Sequence, residues 1–209
     1  AENLITGFKV LNESFLKGES GEEKNDYTVN YKGSAPVAPL APSTTVLATQ
    51  GVRNVQVSFY DDTELRAGNI NTTPDSPLSR QITWKASAAS EVNTIVTAGV
   101  ISGATGADQT KLAIEAENLI TGFKVLNESF LKGEVGEEKN DYTVNYKGAA
   151  PTGTTATQGV RNVQVSFYDT GELRAGNTAT TPDSPLSRQI TWKASTALEV
   201  TGLVGSTTN

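Results

Sequence analysis

Apolar and polar residues alternate strictly in three short stretches of the chain. From Asp26 to Lys32, Tyr27, Val29 and Tyr31 share one face, with Thr28, Asn30 and Lys32 on the other. From Arg53 to Tyr60, Val55, Val57 and Phe59 oppose Asn54, Gln56 and Ser58. From Ser79 to Ala86, Ile82 and Trp84 oppose Gln81, Thr83 and Lys85. A period of two predicts strands with one buried and one wet face. Leu4 to Leu11 and Glu91 to Val100 are weaker strand candidates. Glu13 to Lys24 reads as a charged loop because its glycines break any helical turn. Asp61-Asp62-Thr63-Glu64 and its counterpart Asp169-Thr170-Gly171-Glu172 read as tight hairpin turns, with Gly171 supplying a residue that tolerates positive φ. Thr72 to Pro77 carries two prolines and reads as a loop.

The same pattern occurs twice. Ala1 to Gly33 returns as Ala116 to Gly148 with one change, Ser20 to Val135. Gly51 to Ser87 returns as Gly159 to Ser195, changed only at Asp62/Thr170, Thr63/Gly171, Ile70/Thr178 and Asn71/Ala179. The Pro- and Ala-rich segment Ser34 to Gln50 is longer than its counterpart Ala149 to Gln158, as a surface loop tolerates. A repeat of about a hundred residues is domain-sized. The expectation is therefore an all-β chain of two tandem sandwiches, residues 1–97 and 108–209, joined by a Gly- and Ala-rich linker at 98–107. The aromatic residues are duplicated in pairs and read as core, with Trp84 packed against Phe59.

Asn25 to Gly33, then Val52 to Asp61, then Ser79 to Lys85 resemble the cell-adhesion-related (CARDB-like) immunoglobulin-like domains of bacterial and archaeal surface proteins. The resemblance covers about 60 residues of each module. It implies an immunoglobulin-like β-sandwich, a stalk or adhesion role, and no catalytic residues. The first copy departs from the family at its hairpin, Asp61 to Glu64, and Lys32 stands where the family often has Asn.

Composition narrows the chemistry. The chain has no His, Cys or Met. That removes Ser-His-Asp and Cys-His nucleophilic sites, disulfides and most transition-metal sites. Asp61/Glu64 and Asp169/Glu172 are the remaining carboxylate pairs, and a Ca²⁺ site could draw on Asp61, Asp62, Glu64 or Asp75. The expectation is no enzyme and no cofactor. With net charge −6 and a pI near 4.8 there is no basic patch for nucleic acid. No apolar run approaches the ~18 residues of a membrane span. Three sequons, at Asn12, Asn71 and Asn127, are candidates for glycosylation. The missing initiator Met fits a mature, exported chain.

The second module is preceded by the alternating stretch Thr110 to Glu115, whereas the first begins directly at Ala1. If Lys111 to Val125 forms a long first strand, the first module presents a shortened edge. Leu112 and Ile114, or Leu198, Val200 and Leu203, could supply an exchangeable strand between subunits, by donor-strand complementation. The sequence thus points to a homopolymeric surface filament or pilus. The alternatives are a stalk or adhesin repeat, a phage structural protein, or a carbohydrate-binding module presenting Trp84 or Tyr60 to cell-surface glycans.

Overall fold

A computed structural model describes residues 8–34, 50–97, 111–115, 118–153 and 158–206. The described strands form one antiparallel sheet of eight, ordered as a simple meander. The first repeat supplies β1 (Asn12–Lys17), β2 (Lys24–Lys32), β3 (Gly51–Tyr60) and β4 (Leu78–Lys85), followed by helix α1 (Ala89–Thr97). The second supplies β5 (Val125–Lys132), β6 (Lys139–Gly148), β7 (Gln158–Tyr168) and β8 (Leu186–Lys193), followed by α2 (Ala197–Ser206). The alternating stretches form β2, β3 and β4 and their copies, so the nearly all-β character expected from the sequence is present.

The expected pair of sandwiches is not what the described residues form. Each repeat contributes four strands, too few for two packed sheets, and a helix covers the apolar face instead. β4 then pairs with β5, so the sheet runs through both repeats without a break.

Three local corrections explain the difference. Glu91 to Val100 is not a strand; Ala89–Thr97 is helix α1, with Val92 and Ile95 buried at helical spacing. In the second repeat the helix start is capped by Thr196 Oγ1, which accepts from Glu199 N at 3.2 Å, while Glu199 Oε2 accepts from Ser195 N at 2.5 Å. Lys111 to Val125 is not one long strand: Ala113–Glu115 is a turn closed by Glu115 N donating to Leu112 O, and β5 begins only at Val125. The start of the Glu13–Lys24 loop is strand, β1. Residues 8–11 lie outside any strand, while residues 1–7 and the 98–107 linker are not among the described residues.

The two sheet faces differ sharply. One carries the row Phe15, Tyr27, Val57, Ile82, Glu128, Val144, Val163 and Trp192, each opposite the next on adjoining strands. Helices α1 and α2 cover this face, and Val92, Ile95 and Val200 join its core. Trp84 and Phe59 share this face, but Trp84 lies opposite Val55 and Phe59 opposite Arg80. The other face is a carpet of uncharged polar groups: Thr28, Gln56, Thr83, Asn127, Asn145 and Asn162 form one row across six strands. Neighbours there hydrogen-bond, as in Ser14–Thr28 at 2.9 Å and Asn145–Asn162 at 2.8 Å.

Each repeat is also stapled by a buried ion pair. Arg66 donates Nε to Asp26 Oδ1 at 2.7 Å and Nη1 to the Val96 carbonyl at 3.3 Å. Arg174 repeats this with Asp141 and Val204. The guanidinium thereby ties β2 (or β6) to the carbonyl end of its helix, where a cation is favoured.

Candidate functional site

The chemistry of this fold concentrates where the repeats meet. In the β4–β5 seam Arg80 lies opposite Phe130, Gln81 opposite Ser129, Ile82 opposite Glu128 and Thr83 opposite Asn127. Arg80 is 0% exposed. Its guanidinium donates to Glu64 Oε2 at 2.6 Å and to the Lys111 carbonyl at 3.0 Å, and pairs with Glu128 Oε1. It lies 5.0 Å from the Phe130 ring centroid, in cation–π range. Glu128 Oε2 accepts from Ala113 N at 3.1 Å and from the Tyr146 hydroxyl. One cation and two carboxylates are thus enclosed; backbone and tyrosine meet further valences of the cluster, while Arg80 Nε is buried without a hydrogen-bond partner among the described residues. A buried charge survives only with such partners.

Glu64 reaches Arg80 from a strained turn. The left-handed backbone expected at Gly171 lies instead on the turn's outer residues, Asp61 and Glu64 at φ 59° and 51° and Asp169 and Glu172 at 58° and 50°. Asp61 accepts from the Ser76 hydroxyl at 2.5 Å and so fastens the double-proline loop. Asp62 faces Lys132 at 3.4 Å in an exposed pair. Among the described residues no group of three or more acidic side chains is placed to hold a metal. Of the carboxylates considered for Ca²⁺, Asp61 fastens a loop, Asp62 and Glu64 sit in separate ion pairs, and Asp75 is exposed.

The sheet's two outer edges carry the halves of this seam separately. β8 repeats β4 residue for residue, and β1 repeats the Asn127–Lys132 part of β5. On β8, Arg188 holds Glu172 at 2.9 Å and 3.0 Å, but these side chains are 51% and 46% exposed. On β1, Glu13 accepts from the Tyr31 hydroxyl at 2.8 Å, as Glu128 does from Tyr146. Ile190 and Trp192 are half-buried where Ile82 and Trp84 are fully buried. Beside β1 a trough of about 220 Å³ is lined by Phe15, Tyr27, Val29, Tyr31, Val52 and Val92. In the second repeat the counterparts Phe130, Val144, Tyr146 and Val160 are buried in one cluster with Leu112, Ala113 and Ile114.

Leu112 and Ile114 therefore serve the chain's own internal seam, as a turn and not as an exchangeable strand. Leu198, Val200 and Leu203 lie on α2, with Val200 buried against the sheet. Trp84 offers no face to a sugar because it is enclosed. Of the sequons, Asn12 and Asn71 are exposed and Asn127 is half-buried in the polar carpet. Sequence reasoning passed over Arg80, Glu128, Glu13 and Arg188. Their signal is a charge at the apolar phase of an alternating strand, Arg80 in step with Ile82 and Trp84.

The tyrosines report the same asymmetry. Burial, then the hydrogen bond to Glu13, pushes the Tyr31 hydroxyl up to about 12, and burial pushes Tyr60 to about 12. Burial raises Tyr142 and Tyr146 further. An unfolded tyrosine ionises near ~10. A raised folded value stabilises the fold fully below ~10, and that contribution is lost as pH rises through the folded value. Unfolding is therefore expected above pH ~10, with tyrosinate absorbance rising together with loss of the β-sheet circular dichroism signal. A smooth titration near ~10 with the sheet signal unchanged would contradict this.

Among the described residues no helix is long and apolar enough to cross a membrane. Comparison with family models, curated proteins and solved structures finds no match to this chain.

Proposed function

We propose that this chain is a non-enzymatic, extracellular structural protein whose copies assemble side by side into a surface filament or pilus. The observation that carries the reading is that one chain bears, on opposite edges of a single sheet, both halves of a seam it already forms internally. Unpaired edges with complementary chemistry are templates for strand addition, and a head-to-tail contact that does not close propagates. The lack of His and Cys supports the non-enzymatic part. The resemblance of Asn25 to Gly33, Val52 to Asp61 and Ser79 to Lys85 to CARDB-like surface modules supports the location.

A second reading is a rigid stalk within a longer surface protein. It is favoured by the seam between the repeats being formed within one chain. Sedimentation and negative-stain microscopy across a range of protein concentrations separate the two. A filament subunit gives growing ribbons. A chain that stays monomeric at the highest attainable concentration, with no fibres in native material, overturns the assembly reading.

A further inference from the structure

Taking that assembly reading as given, we infer that β8 of one copy receives β1 of a second copy in the register of the internal seam, with Glu13 closing onto Arg188 and Glu172. Asn12–Lys17 has the same sequence as Asn127–Lys132, and Leu186–Lys193 the same as Leu78–Lys85. Transferring the internal pairing places Arg188 opposite Phe15, Gln189 opposite Ser14, Ile190 opposite Glu13 and Thr191 opposite Asn12. A slip of one residue would turn the apolar side chains of β1 onto the polar face.

The two halves are already shaped for the contact. Glu172 holds the same left-handed backbone as Glu64, φ 50° against 51°, and already engages Arg188. Tyr31 already holds the Glu13 carboxylate as Tyr146 holds that of Glu128. At the seam's far end Glu138 accepts from Leu78 N at 2.8 Å, and Glu23 is its counterpart for Leu186. Two parts of the internal seam are not duplicated. The Lys132–Asp62 pair has no counterpart because Asp62 is replaced by Thr170, and that pair is exposed and contributes little. The turn at 111–115, whose Lys111 carbonyl and Ala113 amide meet Arg80 and Glu128, occurs once in the sequence, ahead of the second repeat. Closure would enclose Ile190 and Trp192 as the internal seam encloses Ile82 and Trp84.

The test uses charge reversal in the full chain. Arg188→Glu puts three carboxylates at the contact, and Glu13→Arg puts two guanidiniums there. Each variant alone is expected to associate at least about tenfold more weakly than the parent chain. Mixed in equal amounts, they regain assembly. The arginine introduced in one variant meets the glutamate introduced in the other, beside Glu172, while the unaltered Glu13 and Arg188 meet at the next contact. Register is read separately in this cysteine-free chain. Ser14→Cys with Gln189→Cys is expected to give disulfide-linked ladders under oxidation, and Asn12→Cys with Gln189→Cys none. If the parent chain assembles while both charge variants assemble equally well, or if only the slipped cysteine pair cross-links, this inference falls and self-assembly stands. If the parent chain never assembles, both fall.

Discussion

Replacing Arg80 by Ala should cost about 3–5 kcal/mol of folding stability, whereas Arg188→Ala, at the same position of a near-identical repeat, should cost about 0–1 kcal/mol. Arg80 stands between Glu64 and Glu128 with no exposure to solvent, so its removal leaves two carboxylates enclosed without a counter-charge. Arg188 faces only Glu172, and water reaches both. Domains of ordinary stability hold about 5–15 kcal/mol in total, so Arg80→Ala would bring the chain close to unfolding at room temperature. Denaturant titration followed by circular dichroism measures both variants. Adding Glu64→Gln and Glu128→Gln to Arg80→Met should return part of the loss, because no orphaned charge then remains. Equal costs for Arg80→Ala and Arg188→Ala would contradict the enclosure of the seam.

Trp84→Ala should be almost as damaging, at about 3–5 kcal/mol, through the cavity left in a closed core. Trp192→Ala should cost about 1 kcal/mol, since that ring is only partly withdrawn from water. The two side chains lie in identical eight-residue strands, Leu78–Lys85 and Leu186–Lys193, and differ only in having a strand beyond them. The same measurement applied to assembled material should raise the cost at Trp192, because a neighbouring β1 would then lie over it.

These pairs also mark where sequence reasoning stops. Strands β2, β3 and β4 are legible because Val29, Val55, Val57 and Ile82 keep a strict period of two. The hairpin at Asp61 to Glu64 is legible from its turn residues, although the strain falls on Asp61 and Glu64 and not on the position of Gly171. Helix α1 is obscured because Val92, Ile95 and Val96 are β-branched, which favours a strand when local preference is read alone. Tertiary packing decides otherwise: Val92 and Ile95 reach the sheet on one helical face. The candidate site is harder still. Arg80 and Arg188 have the same neighbours in sequence, and only the strand that follows in space separates a buried ion triad from an exposed pair. The staple Arg66–Asp26 joins residues 40 apart and leaves no local trace.

The unequal loops between β2 and β3 and between β6 and β7 carry a consequence for fibre diffraction. Strands in a sheet are spaced by about 4.8 Å, so four strands advance an assembled ribbon by about 19 Å and eight by about 38 Å. The strands of the buried face repeat every four, whereas the turn that adds Leu112 and Ile114 to the core returns only every eight. The longer Pro- and Ala-rich insertion between Ser34 and Gln50 returns only every eight. An oriented fibre should therefore give a strong layer line at about 19 Å and a weak one at about 38 Å. Shortening that loop to match Ala149 to Gln158 should weaken that line and leave the strong one in place; the residual intensity then comes from the turn carrying Leu112 and Ile114, which also returns every eight strands.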